Sequence, residues 1–472
     1  MRLSFDRLWV VLALALPALL SLLVPLPAVD LAYQVRAGDE ILATGALPAV
    51  DTWTFTIAGT PWLDQQWLAQ LLLAAGYRVG GWELLAVSRA ALVVLAFGLL
   101  LAACVERGAP IRIAAVLSLV AFLLAAPALA LRPQLFAIAI FAALLWLVAV
   151  RHRAPRLYWV APVLVALWAN VHGSFVLAPL ILGYGWLDDR VAHRESRTSL
   201  VVLVVGTLAT LLNPFLAGVW QYALSFGTDP VIHDTVSEWQ RTSPLTVPGA
   251  LFYGSVALVL VFAWRQSRVP GRVRWPDVAW LVGWALIGAW AERGLAWWPL
   301  AAAFAVGGIV GRVQPAATTP LHRAPKPNAF NAAVAIALGT LVVVALPWWR
   351  PPDPLTGREG LLSYAPSDLG QALRDSPSGG RVYAQQTWAS WFEWVAPGQL
   401  EFIDSRFELF PSDVLASYAR IAGGGEAALT ELTARGVDSV VLERDAPLVE
   451  MVRGAGWTLV HDDADGVVYR KP

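Results

Sequence analysis

Hydrophobic positions in this chain fall into long blocks, and three of the blocks are too long for a single membrane crossing. The first runs from about Ile111 to Val150 and is interrupted at Arg132-Pro133-Gln134. The second runs from about Leu157 to Leu187 and is interrupted at Asn170-Val171-His172-Gly173. The third runs from about Trp275 to Gly311 and is interrupted at Glu292-Arg293-Gly294. A helix needs only ~20 apolar residues to cross a hydrocarbon core of ~30 Å. Each block therefore predicts a helical hairpin with its polar word at the tip. Arginines cluster at the outer ends of all three, and cytoplasmic loops are the arginine-rich ones. The pattern puts the three tips on the non-cytoplasmic face, which is what an outward-facing active site needs.

The same reading gives an α-helical polytopic membrane protein of about eleven spans, near 8–29, 82–104, 111–130, 133–150, 157–170, 173–187, 198–216, 249–264, 275–291, 295–311 and 329–349. With the N-terminus cytoplasmic, the inner segments hold seventeen basic residues, among them Arg323 and Lys326. The outer loops before residue 350 hold only Arg36, Arg78, Arg132, Arg241 and Arg293. Counting any hairpin as one span would reverse every later loop and spoil this asymmetry. Met1 to Arg7 followed by Leu8 to Val29 also fits a signal peptide, but 22 apolar residues exceed the usual length and favour an uncleaved first helix.

Composition agrees. The chain is 57% hydrophobic and 14% charged, against about 25% charged in soluble domains. Its net charge of zero suggests no nucleic-acid partner. Cys104 is the one cysteine and lies in a predicted span, so disulfides and thiolate metal sites are excluded. The 24 tryptophans suit interfacial belts and sugar-stacking surfaces alike.

The membrane domain is read as 1–349, with two long outer loops at 30–81 and 216–248. In the first, Thr60-Pro61 predicts a helix start, a hydroxyl cap followed by proline, and an amphipathic helix to about Val79. The second holds Asp229-Pro230, His233, Asp234 and Glu238-Trp239-Gln240. Residues 350–354 are a stiff proline-rich linker. Residues 355–472 read as a C-terminal soluble α/β domain outside the membrane. Its expected strands are at 381–384, 400–403, 439–442, 458–461 and 467–470, and its helices near 366–375, 411–421, 426–434 and 446–453.

Several words along the chain then line up in one order. They are Asp30-Leu31-Ala32-Tyr33-Gln34, then Ile41-Leu42-Ala43-Thr44-Gly45-Ala46-Leu47-Pro48 running on to Asp51, then Pro61-Trp62-Leu63-Asp64. Arg132-Pro133-Gln134, Trp168 to Gly173, Asn213-Pro214, Glu238-Trp239 and Phe402-Ile403-Asp404-Ser405-Arg406 follow. In this order the chain resembles the GT-C superfamily of integral membrane glycosyltransferases, most closely bacterial mannosyltransferase and RgtA-like membrane proteins. The resemblance implies an enzyme that takes a sugar from a polyprenyl-phosphate carrier at the non-cytoplasmic face. It departs from the family pattern at Gln34, where a histidine is expected, and at Gln65-Gln66, where His-Glu is frequent. Those departures leave a loop-one metal cluster incomplete. A divalent metal stays open, with no ligand set assigned.

The candidate catalytic carboxylates are Asp30, Asp51 and Asp64. Asp30 sits at the membrane boundary, where a base or orienting group for an acceptor hydroxyl is needed, or simply ends the first span. Asp64 also suits a helix N-terminal turn, and Asp51 a turn or strand start. Arg132 and Arg293 are the donor-phosphate candidates, since arginine forks bind phosphate bidentately. Each is alternatively a snorkelling arginine, and Arg293 a local partner of Glu292. His172 either assists at the phosphate or is a hydrogen-bonded turn residue. Asn170, Gln34, Glu238 and Glu292 are supporting candidates, with His233, Asp234 and Glu238 open to an approach to loop one. Asp404 and Arg406 are expected to pair within the α/β domain.

The function expected is transfer of a hexosyl or pentosyl group to an envelope glycan, lipid or protein, with membrane lipids as surroundings. The alternatives are a non-catalytic scaffold or lipid-linked-glycan-binding component of envelope assembly, and a transporter. A transporter favours charges at mid-membrane depth and internal repeats, neither of which is evident.

Overall fold

The computed structural model describes residues 2–226, 237–313, 327–377 and 379–472. Asp229-Pro230, His233, Asp234, Arg323 and Lys326 lie outside the described residues. The chain divides into two compact units, one of residues 1–24 and 86–349 and the other of residues 25–85 and 350–472.

The first unit is helical. Helices occupy all of the apolar stretches assigned to it, from Phe5–Leu23 through Ala329–Val344. Among the described residues of the whole chain, six helices are long and apolar enough to cross a membrane. The helix Phe5–Leu23 packs on Ile111–Ala125 and on Ala329–Val344, and Trp298–Val313 packs on Ile111–Ala125 and Trp275–Trp290. Pro133–Val150, Ala161–Val171, Ala178–Val191 and Arg197–Ala209 form a second packed group.

All three expected hairpin breaks are present and share one local geometry. Arg132, His172 and Ala291 are each fully extended, with φ of −149°, −161° and −148°. His172 and Ala291 each end a helix, whereas Arg132 opens one, after the helix Ile111–Ala125 has closed in the 3-10 turn Ala126–Ala128. After Arg132 the next helix starts at once, because Pro133 is preset for the first helical position and has no N–H to lose. After His172 and Ala291 a short 3-10 turn, Gly173–Leu177 or Glu292–Ala296, intervenes.

The second unit joins loop one to the C-terminal residues. Its mixed five-stranded sheet runs in the spatial order Leu400–Glu401, Arg381–Ala384, Ser439–Leu442, Val467–Arg470, Thr458–Asp462. The first two pairings are parallel and the last two antiparallel. The strands fall where the alternation and the Gly and Asp breaks put them, to within a residue or two. A helix that the pattern missed, Gln386–Val395, packs on a second one in loop one, Ala28–Thr44. The latter ends at Gly45, whose left-handed φ of 69° closes the last turn.

The Thr60-Pro61 expectation needs correcting. The helix begins at Trp67, and Pro61 instead pairs with Val50 in a short bridge. Trp62 must meet Trp53 at 5.1 Å, and this packing outweighs a favourable local cap. The helix then runs to Glu106 but leaves helical geometry at Gly80 and Gly81, the point where loop one was expected to end.

Candidate functional site

In the helical unit the polar words of two tips meet. Arg132 and Arg293 both reach the side chain of Glu238, which lies in the 3-10 turn Ser237–Trp239. Arg132 donates from Nη1 to Oε1 at 2.7 Å, and the Arg293 Nε is 3.4 Å from Oε2. The Arg293 guanidinium also stacks over Trp239 at 5.4 Å. Its tip fits closely against the preceding helix, because a Cβ on Gly294 would stand 2.3 Å from the Ile287 carbonyl oxygen. The backbone N–H of Glu292 donates to the Gln240 carbonyl and ties the tip to the same turn. Arg293 pairs with Glu238 rather than with its neighbour Glu292.

These groups line a cavity of about 230 Å³. Its polar end holds Arg132, Gln134, Glu238, Glu292 and Arg293, and its walls include Leu123, Leu251, Phe252 and Trp298. Burial works against ionisation of Glu238, but the two arginines prevail and hold its carboxyl below the usual range.

His172, at the third tip, does not line this cavity. It accepts at Nδ1 from the backbone N–H of Ser174 and shares a 2.7 Å hydrogen bond with the Ser174 hydroxyl, so it caps its own turn. Burial, and then the charges of Arg293 and Arg132, hold the imidazole well below its ordinary value and keep it neutral. Asn170 donates to the carbonyls of Ala166 and Leu212 and links two helix ends.

The loop-one carboxylates belong to the other unit. Thr54 pairs with Glu401, so loop one adds a rung to the edge of the sheet. This brings Asp51 to Arg406. Asp51 accepts from Arg406 Nη2 through Oδ1, and from the Thr54 N–H and hydroxyl through Oδ2. Asp404 pairs with Arg406 as expected, from both its oxygens. The Arg406 guanidinium lies 4.4 Å and 4.5 Å from the rings of Trp53 and Trp62 and is only 1% exposed. Asp64 is buried and accepts from Gln70, and burial raises its pKa to about 7. Gln34 donates to Tyr33 and to Gln66. Asp30 is half-buried in the first turn of Ala28–Thr44, and its charge is felt at Tyr33 together with those of Glu408, Asp404 and Arg406.

Two acids here were not singled out from the pattern. Glu393 and Glu401 are each 1% exposed, and burial followed by the Asp404 charge raises both well above the carboxylate range. The signal for Glu393 was an acid within the aromatic run Trp388-Ala389-Ser390-Trp391-Phe392. Among the described residues no group of three or more His, Cys, Asp or Glu side chains is placed to hold a metal ion.

Comparison with solved structures identifies the architecture. The chain matches an arabinofuranosyltransferase, AftD, from Mycobacteria with a TM-score of 0.56 and 18% identity, over 100% of this chain and 42% of that one. It matches ArnT from Cupriavidus metallidurans, bound to undecaprenyl phosphate, at 0.52 and 16% over 98% and 97%. The oligosaccharyltransferase of Archaeoglobus fulgidus matches at 0.52 and 13% over 93% and 69%. The chain has the GT-C fold. Among the described residues, polar side chains gather at the hairpin tips, at the loop-one rung, and in a buried cluster of Arg107, Arg151, Arg274 and Arg312 with Asp188, Asp189 and Asp277. No family model matches the sequence, and no curated protein does.

Proposed function

We propose that the protein is a GT-C glycosyltransferase that moves a sugar from a polyprenyl-phosphate carrier to an envelope acceptor on the non-cytoplasmic face. The observation that carries this is the convergence of Arg132 and Arg293, from two hairpin tips, on one cavity with apolar walls. Paired arginines hold a phosphate, and the apolar wall suits the first units of an isoprenoid tail. ArnT, a protein of the same fold, has been seen with undecaprenyl phosphate bound.

In the reaction the bond from the anomeric carbon to the phosphate oxygen breaks as the acceptor hydroxyl oxygen forms a new one, with inversion. Arg132 and Arg293 neutralise the departing phosphate, which is already a good leaving group. Asp30 takes or orients the acceptor proton. Both oxygens of Asp51 are engaged by Arg406 and Thr54, so its part is to hold the loop-one rung. His172 fixes the third tip. The chemistry rests on these Asp and Arg side chains, with Gln34 and Gln66 bonded to each other.

Purified protein incubated with radiolabelled polyprenyl-phosphate sugars and cell-envelope acceptors should transfer label. A second reading, a non-catalytic lipid-linked-glycan binder, is favoured by the amides Gln34, Gln65 and Gln66 in loop one. Donor binding without turnover across a broad acceptor panel would decide for it.

A further inference from the structure

We infer that Glu238 is a built-in stand-in for the donor phosphate, an anion that the incoming lipid phosphodiester must displace. The inference rests on the donor reading above. One carboxylate, through its two oxygens, engages two guanidiniums that come from different hairpin tips. A phosphodiester offers the same set, two unesterified oxygens and one negative charge, to the same two forks. The Glu238 side chain is 37% exposed, against 17% for Arg132 and 27% for Arg293, so it can leave toward water while the arginines stay. Trp239 stacks on Arg293 and keeps that guanidinium in place when the carboxylate goes.

Two further lining residues fit an arriving sugar phosphate. Gln134 is 1% exposed, lines the cavity, and has an Oε1 with no partner among the described residues. A buried acceptor without a donor is costly, and a sugar hydroxyl would satisfy it. Glu292, in the same lining, offers a second acceptor to sugar hydroxyls. After transfer the returning carboxylate competes with the spent lipid phosphate and speeds its release.

The test measures binding of farnesyl-phosphoryl-glucose, a phosphodiester, to the purified full-length protein in detergent. Wild type is compared with Glu238→Gln, Glu238→Ala, Arg132→Ala and Arg293→Ala, each checked for an unchanged unfolding midpoint. Removing the competing anion should tighten binding about tenfold, and each arginine variant should weaken it by about as much, as befits charge-assisted contacts of ~1–2 kcal/mol. Should a Glu238 variant fail to fold, Glu238→Asp replaces it and should bind more tightly than wild type, because its shorter arm reaches the arginines less well. Weakened arginine variants beside unchanged or weaker Glu238 variants would overturn the stand-in role and leave the donor site intact. Unchanged binding in both arginine variants would overturn the donor reading, and the stand-in role with it.

Discussion

Arg406 reaches back across 355 positions of the chain to Asp51, with its Nη2 2.5 Å from the carboxylate Oδ1. That pair, with Asp404 on the same guanidinium and two tryptophans against its faces, fastens loop one to the α/β sheet. Removing one member of a buried ion cluster leaves the others uncompensated and costs ~3–5 kcal/mol. Arg406→Ala should therefore strongly lower the thermal stability of this unit. Arg406→Lys should not restore it, because an ammonium cannot fork to two carboxylates and stack between two rings. Calorimetric unfolding in detergent measures both, and a midpoint unchanged in Arg406→Ala would reject the fastening role.

The same unit should respond to pH through Asp64. Its pKa is raised from 3.8 to about 7 by burial. Between those values the folded state holds a proton that the unfolded chain has released, so stability falls as pH rises from about 4 to about 7 and then levels off. Glu393 and Glu401 are raised as well and push in the same direction. Asp64→Asn removes one contribution, so the pH slope of its unfolding midpoint should be shallower than that of wild type. Parallel slopes would contradict an Asp64 that is protonated in the fold.

The catalytic assignment is tested by separating turnover from binding. Asp30→Asn should fold and bind donor but lose transfer by a factor of about 100 or more, the usual scale for a general base, because asparagine keeps the shape without the basicity. Single-turnover transfer and donor affinity, measured together, give the answer. Unchanged transfer would remove Asp30 and turn attention to Asp64.

Topology is tested with reporters. A phosphatase fused after Pro472 should be active on the non-cytoplasmic side, and a reporter that works only in the cytoplasm should be silent there. The reverse pattern would undo the eleven-span proposal and the outward orientation of the three tips, because both depend on span parity.

The breaks in the apolar blocks and the strands of the α/β sheet were legible in the sequence because each is a local pattern. A charged word inside an apolar block, or a short alternating run closed by glycine, needs no distant residue to define it. Asp404 and Arg406, two positions apart, could be paired on the same ground. Local patterning failed where tertiary packing set the terms. Thr60-Pro61 looked like a helix start, yet the contact of Trp62 with Trp53 moved the helix to Trp67. Ala28–Thr44 and Gln386–Val395 were missed, although Gly45 and the aromatic run around Glu393 mark them. The closure of Arg132 and Arg293 on Glu238, and of Arg406 on Asp51, was decided by the fold alone. Sequence fixes which side chains carry charge and which segments are apolar. Which charges meet depends on the helix packing and strand pairing that bring residues more than a hundred positions apart within hydrogen-bonding distance.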